Sequence, residues 1–289
     1  MEGKQNLSAN STEIVEERLN LNSPWLSFFC WPIAHRARYY GPMRDHGLKF
    51  PASLAVTEQQ IDLSGLSERQ KGFYLRLFAE MVDIYEARKK PRQLLGIAGP
   101  TGAGKSVLAV LLKELAKEAD LPFLVEAITI DAYHYPNRFL LSHFSEGQPL
   151  KKFKGRFDTY NPAALAKDMR DFSCGKTVSF PAYSRKLHEP INGALLVEAE
   201  KVLLVIEGLW LLYEEAGWGN VRSLLDYCLF IEADPAKAKE PVLQRHIRGG
   251  KTPEEAERHY QAVDARNSDF VLGTKDKADK VIPAYYSLG

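Results

Sequence analysis

The chain has 289 residues, of which 45% are hydrophobic and 26% are charged, and its formal net charge at pH 7 is +1. This length suits one large α/β domain with an extension, and the near-neutral charge argues against a basic nucleic-acid surface and against a strongly acidic partner. The three cysteines, Cys30, Cys174 and Cys228, form no C-x-x-C pair, which argues against a zinc site and against a disulfide framework.

The N-terminal residues show no targeting pattern, because acidic residues occur there and no basic start precedes an apolar core. The apolar run around residues 25–33 is too short to span a bilayer. We therefore expect a cytoplasmic protein that has no membrane partner and no nucleic-acid partner. These features are compatible with a homodimer.

In chain order, residues 1–60 carry many turn residues and few periodic signals, and we interpret them as an N-terminal extension. Residues 61–289 form the predicted main domain. The segment from Ser67 to Lys90 intersperses apolar residues with charges, which predicts an amphipathic helix. The apolar run 94–98 then predicts a buried parallel strand, and a helix is expected over 107–119.

A phosphate-binding loop lies between this strand and this helix. Gly99–Ser106 match the pattern G-x-x-x-x-G-K-[ST] at every fixed position, so an ordinary glycine-rich turn is the weaker interpretation. In such a loop the backbone N–H groups and the helix dipole hold a polyphosphate. Lys105 is expected on the β- and γ-phosphates and the Ser106 hydroxyl on the accompanying Mg²⁺. The predicted nucleotide-binding residues are Gly99, Pro100, Thr101, Gly102, Ala103, Gly104, Lys105 and Ser106.

Strands and helices continue to alternate along the remaining chain. Further strands are predicted at 123–130, 202–206, 227–231 and 281–282. Helices are predicted to start at Asn161-Pro162 and Asp234-Pro235, and Thr252 with Glu255 forms a capping box for a helix to about residue 263. The alternation predicts an α/β fold with a mainly parallel sheet and helices on both faces. With the phosphate-binding loop, this indicates a three-layer fold of the P-loop NTPase class.

Two acidic residues follow directly on predicted strands. Asp131 comes after the apolar run that ends at Ile130, and Glu207 comes after the run that ends at Ile206. Because the carboxyl ends of parallel strands lie at one edge of a sheet, both acids are expected near the glycine loop. There an acid can bind Mg²⁺ or accept the proton of an attacking hydroxyl, whereas in the structural alternative each acid caps the next turn.

Four segments in this order resemble the superfamily of uridine kinase, phosphoribulokinase and bacterial-type pantothenate kinase, over about residues 93–283. The segments are Gly99–Ser106, Ile130–Asn137, Pro181–Arg185 and Ile206–Leu209. The resemblance implies a kinase-type P-loop fold and transfer of the γ-phosphoryl group of ATP to a hydroxyl of a small metabolite. It also implies that Asp131 is the base and that Lys105, Ser106 and Glu207 serve the phosphates and Mg²⁺.

The segment Lys154–Asn161 resembles a stretch of pantothenate kinases and related sugar kinases that begins with a lysine-glycine pair. This chain departs from that stretch at two positions, with Phe157 in place of the usual proline and Asn161 in place of a final Asp. The pattern associated with uridine kinases at this point is absent. A sugar, a sugar acid or a pantothenate-like acceptor is therefore favoured over a nucleoside.

Polar and aromatic residues on two segments are candidates for acceptor binding. They are Tyr133, His134, Tyr183 and Arg185, which together offer donors, acceptors and an aromatic wall. In the alternative interpretation the tyrosines pack beneath the loop and His134 is a structural histidine.

The cationic segment Gln244–Lys251 ends beside a Gly-Gly pair, and the resemblance implies an arginine-bearing lid around residues 244–252. A cation of this segment can neutralise charge on the transferred phosphoryl group. Arg245 is favoured over Arg248 as the catalytic arginine. The structural alternative is a solvated basic helix end.

Two function classes follow from these features. The first is an ATP- and Mg²⁺-dependent kinase that acts on a small hydroxylated metabolite. The second is an ATP-binding regulatory or switch protein of the P-loop class without metabolite kinase activity. A GTPase is disfavoured because no N-K-x-D motif occurs in the chain.

Overall fold

The computed structural model describes residues 48–284. Most of the predicted extension over 1–60, including the apolar run around residues 25–33, lies outside the described residues. Within the described part of the chain, no helix is long and apolar enough to cross a membrane.

Short and long strands alternate with helices through the described region. The strands are β1 (Ser53–Val56), β2 (Gln59–Asp62), β3 (Arg92–Ala98), β4 (Leu124–Thr129), β5 (Phe144–Ser145), β6 (Gln148–Pro149), β7 (Val178–Ser184), β8 (Glu189–Val197), β9 (Val202–Glu207), β10 (Tyr227–Glu232) and β11 (Lys280–Pro283).

The helices occupy most of the intervening segments. The α-helices are α1 (Glu68–Ala87), α2 (Lys105–Glu118), α3 (Asn137–Ser142), α4 (Pro162–Ser173), α5 (Trp218–Arg222), α6 (Pro235–Arg248), α7 (Pro253–His259) and α8 (Ala265–Leu272). Short 3₁₀ turns cover Ile130–Tyr133, Leu150–Phe153, Phe157–Thr159, Trp210–Leu212 and Lys275–Lys277, and a π-helical turn covers Tyr260–Asp264.

A parallel sheet of five strands, in the order β11-β10-β3-β9-β4, forms the centre of the fold. The predicted mainly parallel sheet is therefore confirmed. In the register, Glu207 pairs with Ile97 on one side and with Thr129 on the other. This register brings the ends of β3, β9 and β4 level, so the glycine loop, Glu207 and Asp131 leave the sheet at the same edge.

Helices cover both faces of the sheet, as the alternation of strands and helices predicts. On one face, Leu94 and Leu204 belong to a hydrophobic cluster that includes Phe172 of α4. On the other face, Leu95 and Leu203 line a cavity with residues of α1. Burial of both faces accounts for the continuous apolar character of the central strands.

The predicted helix starts are confirmed by the side chains that cap them. The Asn161 side chain accepts a hydrogen bond from the Ala164 N–H at 3.0 Å, and Asp234 accepts one from the Ala236 N–H at 2.9 Å. Thr252 forms the expected capping box with Glu255. The regular α-helix α7 stops at His259, but the chain continues through the π-helical turn directly into α8, so helical backbone extends beyond the predicted end near residue 263.

Three antiparallel hairpins in the described region, β1–β2, β5–β6 and β7–β8, are absent from the sequence-based prediction. The β1–β2 hairpin packs on α2, and the predicted domain boundary at residue 60 falls within it. In β7–β8 the pairing shifts between Phe180 and Ala182, where Pro181 has no N–H to donate to the ladder. Irregular pairing of this kind interrupts the alternation that marks a strand in sequence.

Candidate active site

The glycine loop leaves β3 in a conformation that glycine favours. Gly99, Gly102 and Gly104 all have positive φ angles, of 148°, 79° and 90°. A Cβ on Gly99 would lie 2.6 Å from the Ile231 carbonyl oxygen, so the close packing of the loop on β10 excludes a side chain there. The loop ends at the N-terminus of α2, where N–H groups and the helix dipole favour a bound anion.

The Lys105 side chain lies folded into this loop. Its side chain is buried, and Nζ donates a hydrogen bond to the Pro100 carbonyl oxygen at 2.8 Å. Burial lowers the pKa of Lys105 to about 8, and the negative charge of Glu207 only partly offsets that effect. Lys105 is thus a dehydrated cation that an added phosphate would stabilise.

Ser106 and Glu207 form a pair of oxygen donors beside the loop. The Ser106 hydroxyl donates to Oε1 of Glu207 at 2.9 Å, and Glu207 is buried. Burial raises the pKa of Glu207, although Lys105 and a hydrogen bond from Thr129 favour its charged form. A hydroxyl and a carboxylate are oxygen ligands of the kind that Mg²⁺ prefers, so this pair fits the predicted metal role.

Asp131 lies two residues beyond β4, in the 3₁₀ turn. Its backbone N–H donates to Oγ1 of Thr129 at 3.2 Å, and the Tyr160 hydroxyl donates to Oδ1 of Asp131 at 3.2 Å. Burial raises the pKa of Asp131, but the opposing effects of His134, Arg185 and Arg245 are larger and hold it below its usual value. Asp131 is therefore an ionised carboxylate at neutral pH, as a proton acceptor must be.

The His134 side chain packs against the turn that carries Asp131. Its Nδ1 lies 2.9 Å from the Asp131 carbonyl oxygen, and its ring stacks on Tyr160 with 3.8 Å between centroids. Burial lowers the pKa of His134 to about 4, so the imidazole is neutral at pH 7. Its Nε2 is buried without a hydrogen-bond partner among the described residues. These contacts agree with the structural alternative for His134, and its contact with substrate stays a prediction.

The two candidate tyrosines occupy different environments. Tyr133 lies in the hydrophobic core, and its hydroxyl donates to Asp168 of α4 at 2.9 Å. Tyr183 is half-buried on β7, with its ring centroid 5.7 Å from that of His134. The structure thus places Tyr183 beside the Asp131 turn, whereas the hydroxyl of Tyr133 is already paired within the core.

Arg185 and Arg245 bring positive charge to Asp131 from two elements. Arg185 follows β7, and within residues 48–284 it has no hydrogen bond or ion pair. Arg245 lies in the last turn of α6, half-buried, with Nη2 4.0 Å from Oδ1 of Asp264. Arg248, one turn further along α6, is exposed. The structure therefore brings Arg245, rather than Arg248, to the site, and the closing motion of the lid stays a prediction.

Glu58 holds the turn that carries Arg185. Its carboxylate accepts hydrogen bonds from the Ser184 hydroxyl and from the Lys186 N–H, both at 3.2 Å. Glu58 lies in the turn of the β1–β2 hairpin, far from Arg185 in sequence. Sequence patterns gave no signal for this contact, because it joins the turns of the β1–β2 and β7–β8 hairpins, and neither of these two hairpins was predicted.

Lys154, of the lysine-glycine pair, joins the same region. Its Nζ donates to the His188 carbonyl oxygen at 2.6 Å and lies 5.3 Å from the centroid of the Tyr183 ring. Burial, together with the positive charge of Lys151, lowers the pKa of Lys154 to about 8. Lys151 and Lys154 both donate to the Asn137 side chain, so two lysines converge beside the candidate acceptor residues.

The two departures from the pantothenate kinase stretch have structural roles here. Phe157 packs edge-on against Trp210, with 5.8 Å between ring centroids, and Asn161 caps α4.

Helix α8 contacts both the Lys154 segment and the glycine loop. Asn267 donates to the Gly155 carbonyl oxygen at 3.1 Å, and Ser268 accepts from the Thr101 N–H at 3.3 Å. Residues near the C-terminus thereby hold both the glycine loop and the Lys154 segment.

The chain is similar in sequence to a family of kinases and to individual proteins. The model of the Phosphoribulokinase / Uridine kinase family matches residues 94–287. The chain is 28% identical over 230 residues to the uncharacterized protein YggC of Escherichia coli (strain K12), covering 79% of this chain and 93% of that protein. It is 29% identical over 164 residues to a pantothenate kinase of Enterococcus faecalis (strain ATCC 700802 / V583), covering 56% of this chain and 52% of that protein.

A solved structure of similar fold is that of a putative fructose transport system kinase from Silicibacter sp. TM1040. It is 25% identical, has a TM-score of 0.64 and covers 73% of this chain and 98% of its own. The resemblance drawn from the four sequence segments and the predicted P-loop fold are both confirmed.

Proposed function

We propose that this chain, which belongs to the phosphoribulokinase and uridine kinase family, transfers the γ-phosphoryl group of ATP to a hydroxyl of a small anionic metabolite. The observation that supports this most directly is the position of Asp131. Its ionised carboxylate lies at the same sheet edge as the glycine loop and accepts a hydrogen bond from Tyr160.

Asp131 acts as the general base in this reaction. It accepts the proton of the acceptor hydroxyl while the hydroxyl oxygen forms a bond to the γ-phosphorus and the bond from that phosphorus to the oxygen of ADP breaks. The Tyr160 hydroxyl fixes one carboxylate oxygen, which leaves the other oxygen for the acceptor. The products are the phosphate ester and ADP, and Asp131 then releases its proton to solvent.

The loop residues and Arg245 serve the phosphate side. Backbone N–H groups of the glycine loop hold the polyphosphate, and Lys105 neutralises the β- and γ-phosphate oxygens. Ser106 and Glu207 would hold Mg²⁺, which when bound supplies charge neutralisation at the phosphates. Arg245 offsets charge that develops on the transferred group.

The metabolite that receives the phosphoryl group carries a carboxylate or a phosphate, because cationic side chains lie beside the residues proposed to bind it. Arg185 has no hydrogen-bond or ion-pair partner in the described region, and Lys154 is a partly dehydrated cation beside Tyr183. Guanidinium and ammonium groups in such a setting gain most from an anion. Among the predicted acceptors, this favours a sugar acid or a pantothenate-like molecule over a neutral sugar.

The test incubates the protein with ATP, Mg²⁺ and one acceptor at a time, follows ADP release and identifies the product by mass. The acceptors are hydroxy acids, sugar acids, pantothenate, sugar phosphates, neutral sugars and nucleosides. We expect a phosphorylated product from an anionic acceptor, with kcat/KM at least about tenfold above that of its neutral counterpart. A preference for neutral acceptors would contradict the anionic assignment.

An Asp131→Asn variant tests the base. Its turnover should fall by at least about a hundredfold while ATP binding changes little, since general-base catalysis contributes on that order. Asp168→Asn is the matched control, because Asp168 pairs with Tyr133 in the core and should leave turnover near wild type. Slow release of ADP and phosphate with no phosphorylated metabolite would instead favour the regulatory alternative.

A further inference from the structure

Three potential metal-binding side chains converge where the predicted lid meets the helical segment that follows it. His246 lies on α6, His259 ends α7, and Asp264 ends the π-helical turn. The Nε2 atoms of His246 and His259 lie 2.7 Å and 3.9 Å from Oδ2 of Asp264. One candidate ligand atom from each residue falls within 4.8 Å of the other two, so a small shift of these side chains accommodates one ion.

The π-helical turn creates this convergence. In a regular α-helix, residues five apart point about 140° away from each other, because each residue turns the chain by about 100°. The wider π turn over Tyr260–Asp264 brings Asp264 back to the face of His259. Such turns are rare and occur frequently at functional sites.

The two oxygens of Asp264 face different partners. Both histidines lie on the side of Oδ2, whereas the Arg245 guanidinium lies 4.0 Å from Oδ1. The side chains of all three potential ligands are mostly buried, with exposed fractions of 14% for His246, 18% for His259 and 10% for Asp264. A cation at Oδ2 would therefore replace a hydrogen bond from His246 without displacing Arg245.

We propose that His246, His259 and Asp264 bind a divalent transition metal ion of the class that prefers imidazole ligands, such as Zn²⁺. The absence of a C-x-x-C pair argues against a zinc site built on cysteines, and this site contains none. Two imidazoles and one carboxylate leave a further coordination position for water. Mg²⁺ is a poor occupant, because it prefers oxygen ligands. This site shares no residue with the Ser106–Glu207 pair, and its occupancy does not depend on the proposed kinase reaction.

A bound ion would connect the lid helix to the helices that follow it. His246 is the neighbour of Arg245 on α6, while His259 and Asp264 belong to the next helical segment. Coordination by all three therefore fixes the end of α6, and with it Arg245, against the segment that follows. The ion thereby stabilises the folded protein, since it binds the native arrangement of side chains from three successive helical segments.

Zn²⁺ binding is measured on the full chain by competition with a chromogenic chelator, and Co²⁺ absorption reports the ligand geometry. We expect one equivalent of Zn²⁺, a Co²⁺ spectrum of a four-coordinate site and a Zn²⁺-dependent rise of Tm by several degrees. In His259→Ala and Asp264→Asn, affinity should fall by at least about tenfold and the rise of Tm should disappear.

His143→Ala is the matched control, because His143 is an exposed histidine of the same domain that lies outside the cluster. It should bind Zn²⁺ as the wild type does. Circular dichroism verifies that each variant is folded, and His259→Gln serves where His259→Ala does not fold. Binding that persists unchanged in both cluster variants would assign the metal elsewhere, for example to His35 or His46, and would overturn the proposal.

Discussion

The Tyr160 hydroxyl donates a hydrogen bond to Oδ1 of Asp131 over 3.2 Å, although the two residues are 29 positions apart. Tyr160 is fully buried, and its ring stacks on the His134 imidazole at the other end of the same turn. Asp131 is therefore held both by its own turn and by the end of the Lys154 segment. This contact joins the proposed base to the part of the chain that carries acceptor-side cations.

Tyr160→Phe should lower kcat by about fivefold to tenfold, which corresponds to the loss of about one hydrogen bond. The carboxylate stays in place but loses the bond that fixes its orientation. The hydrogen bond and ring contacts of Tyr160 within residues 48–284 are with Asp131, His134 and Trp218 rather than with the glycine loop, so the KM for ATP should stay near its wild-type value. Steady-state kinetics with both substrates varied provides the measurement.

Tyr133→Phe is the matched control for this change. The Tyr133 hydroxyl donates to Asp168, so its removal should leave kcat within about twofold of wild type. A loss of kcat as large as that of Tyr160→Phe would show that the orienting role is not specific to Tyr160. It would also favour the predicted role of Tyr133 at the substrate site.

Lys154→Gln should raise the KM for an anionic acceptor by at least about tenfold and leave the KM for ATP little changed. Burial lowers the pKa of Lys154 to about 8. The wild-type KM for the acceptor should therefore rise as pH increases through 8, because the ammonium loses its proton and its charge, and this pH dependence should be absent from the variant. Lys152→Gln replaces an exposed neighbour and should behave as wild type. An unchanged acceptor KM in Lys154→Gln would remove Lys154 from the site.

Glu58→Ala should raise the acceptor KM by about threefold to tenfold with a smaller effect on kcat. The change removes the acceptor of two hydrogen bonds that hold Ser184 and Lys186, and so loosens the turn that carries Arg185. Glu58→Gln should recover part of the effect, because its amide oxygen still accepts one bond. Glu68→Ala, at an exposed position on α1, provides the control. Equal kinetics for Glu58→Ala and wild type would contradict a positioning role.

Local signals in the sequence were sufficient to place the glycine loop, Glu207 and Asp131 at one edge of the sheet. The glycine loop, Glu207 and Asp131 each follow a buried strand, and parallel pairing of β3, β9 and β4 brings them to one edge. The pattern of strand, loop and helix depends on neighbouring residues only, so it can be recognised without knowledge of the tertiary fold.

The contacts that position the candidate acceptor residues could not be predicted in the same way. They join residues that are distant in sequence, such as Glu58 with Ser184 and Asn267 with Gly155. The π-helical turn likewise has no local signature, because the sequence 260–264 continues the helical pattern of α7. These features depend on tertiary packing, which determines the hydrogen-bond partners that a polar side chain reaches.

His134 should make the folded protein less stable at mildly acidic pH. Burial lowers its pKa to about 4 in the folded protein, against about 6.5 in the unfolded chain. The unfolded state therefore binds more protons between these values, and the stability that His134 contributes is complete above pH 6.5 and is lost as pH falls toward 4. Replacing it with Asn, which does not titrate, should reduce the loss of unfolding free energy between pH 7.5 and pH 5 by about 2 kcal/mol.

Urea unfolding at both pH values measures this loss. The prediction concerns the difference between the two unfolding free energies, since Asn also removes the stacking on Tyr160 at both pH values. His143→Asn, at an exposed position, should retain the wild-type loss. If His134→Asn retained it as well, the buried imidazole would have to be protonated as readily as one in water, and the neutral state assigned to it beside Asp131 would be wrong.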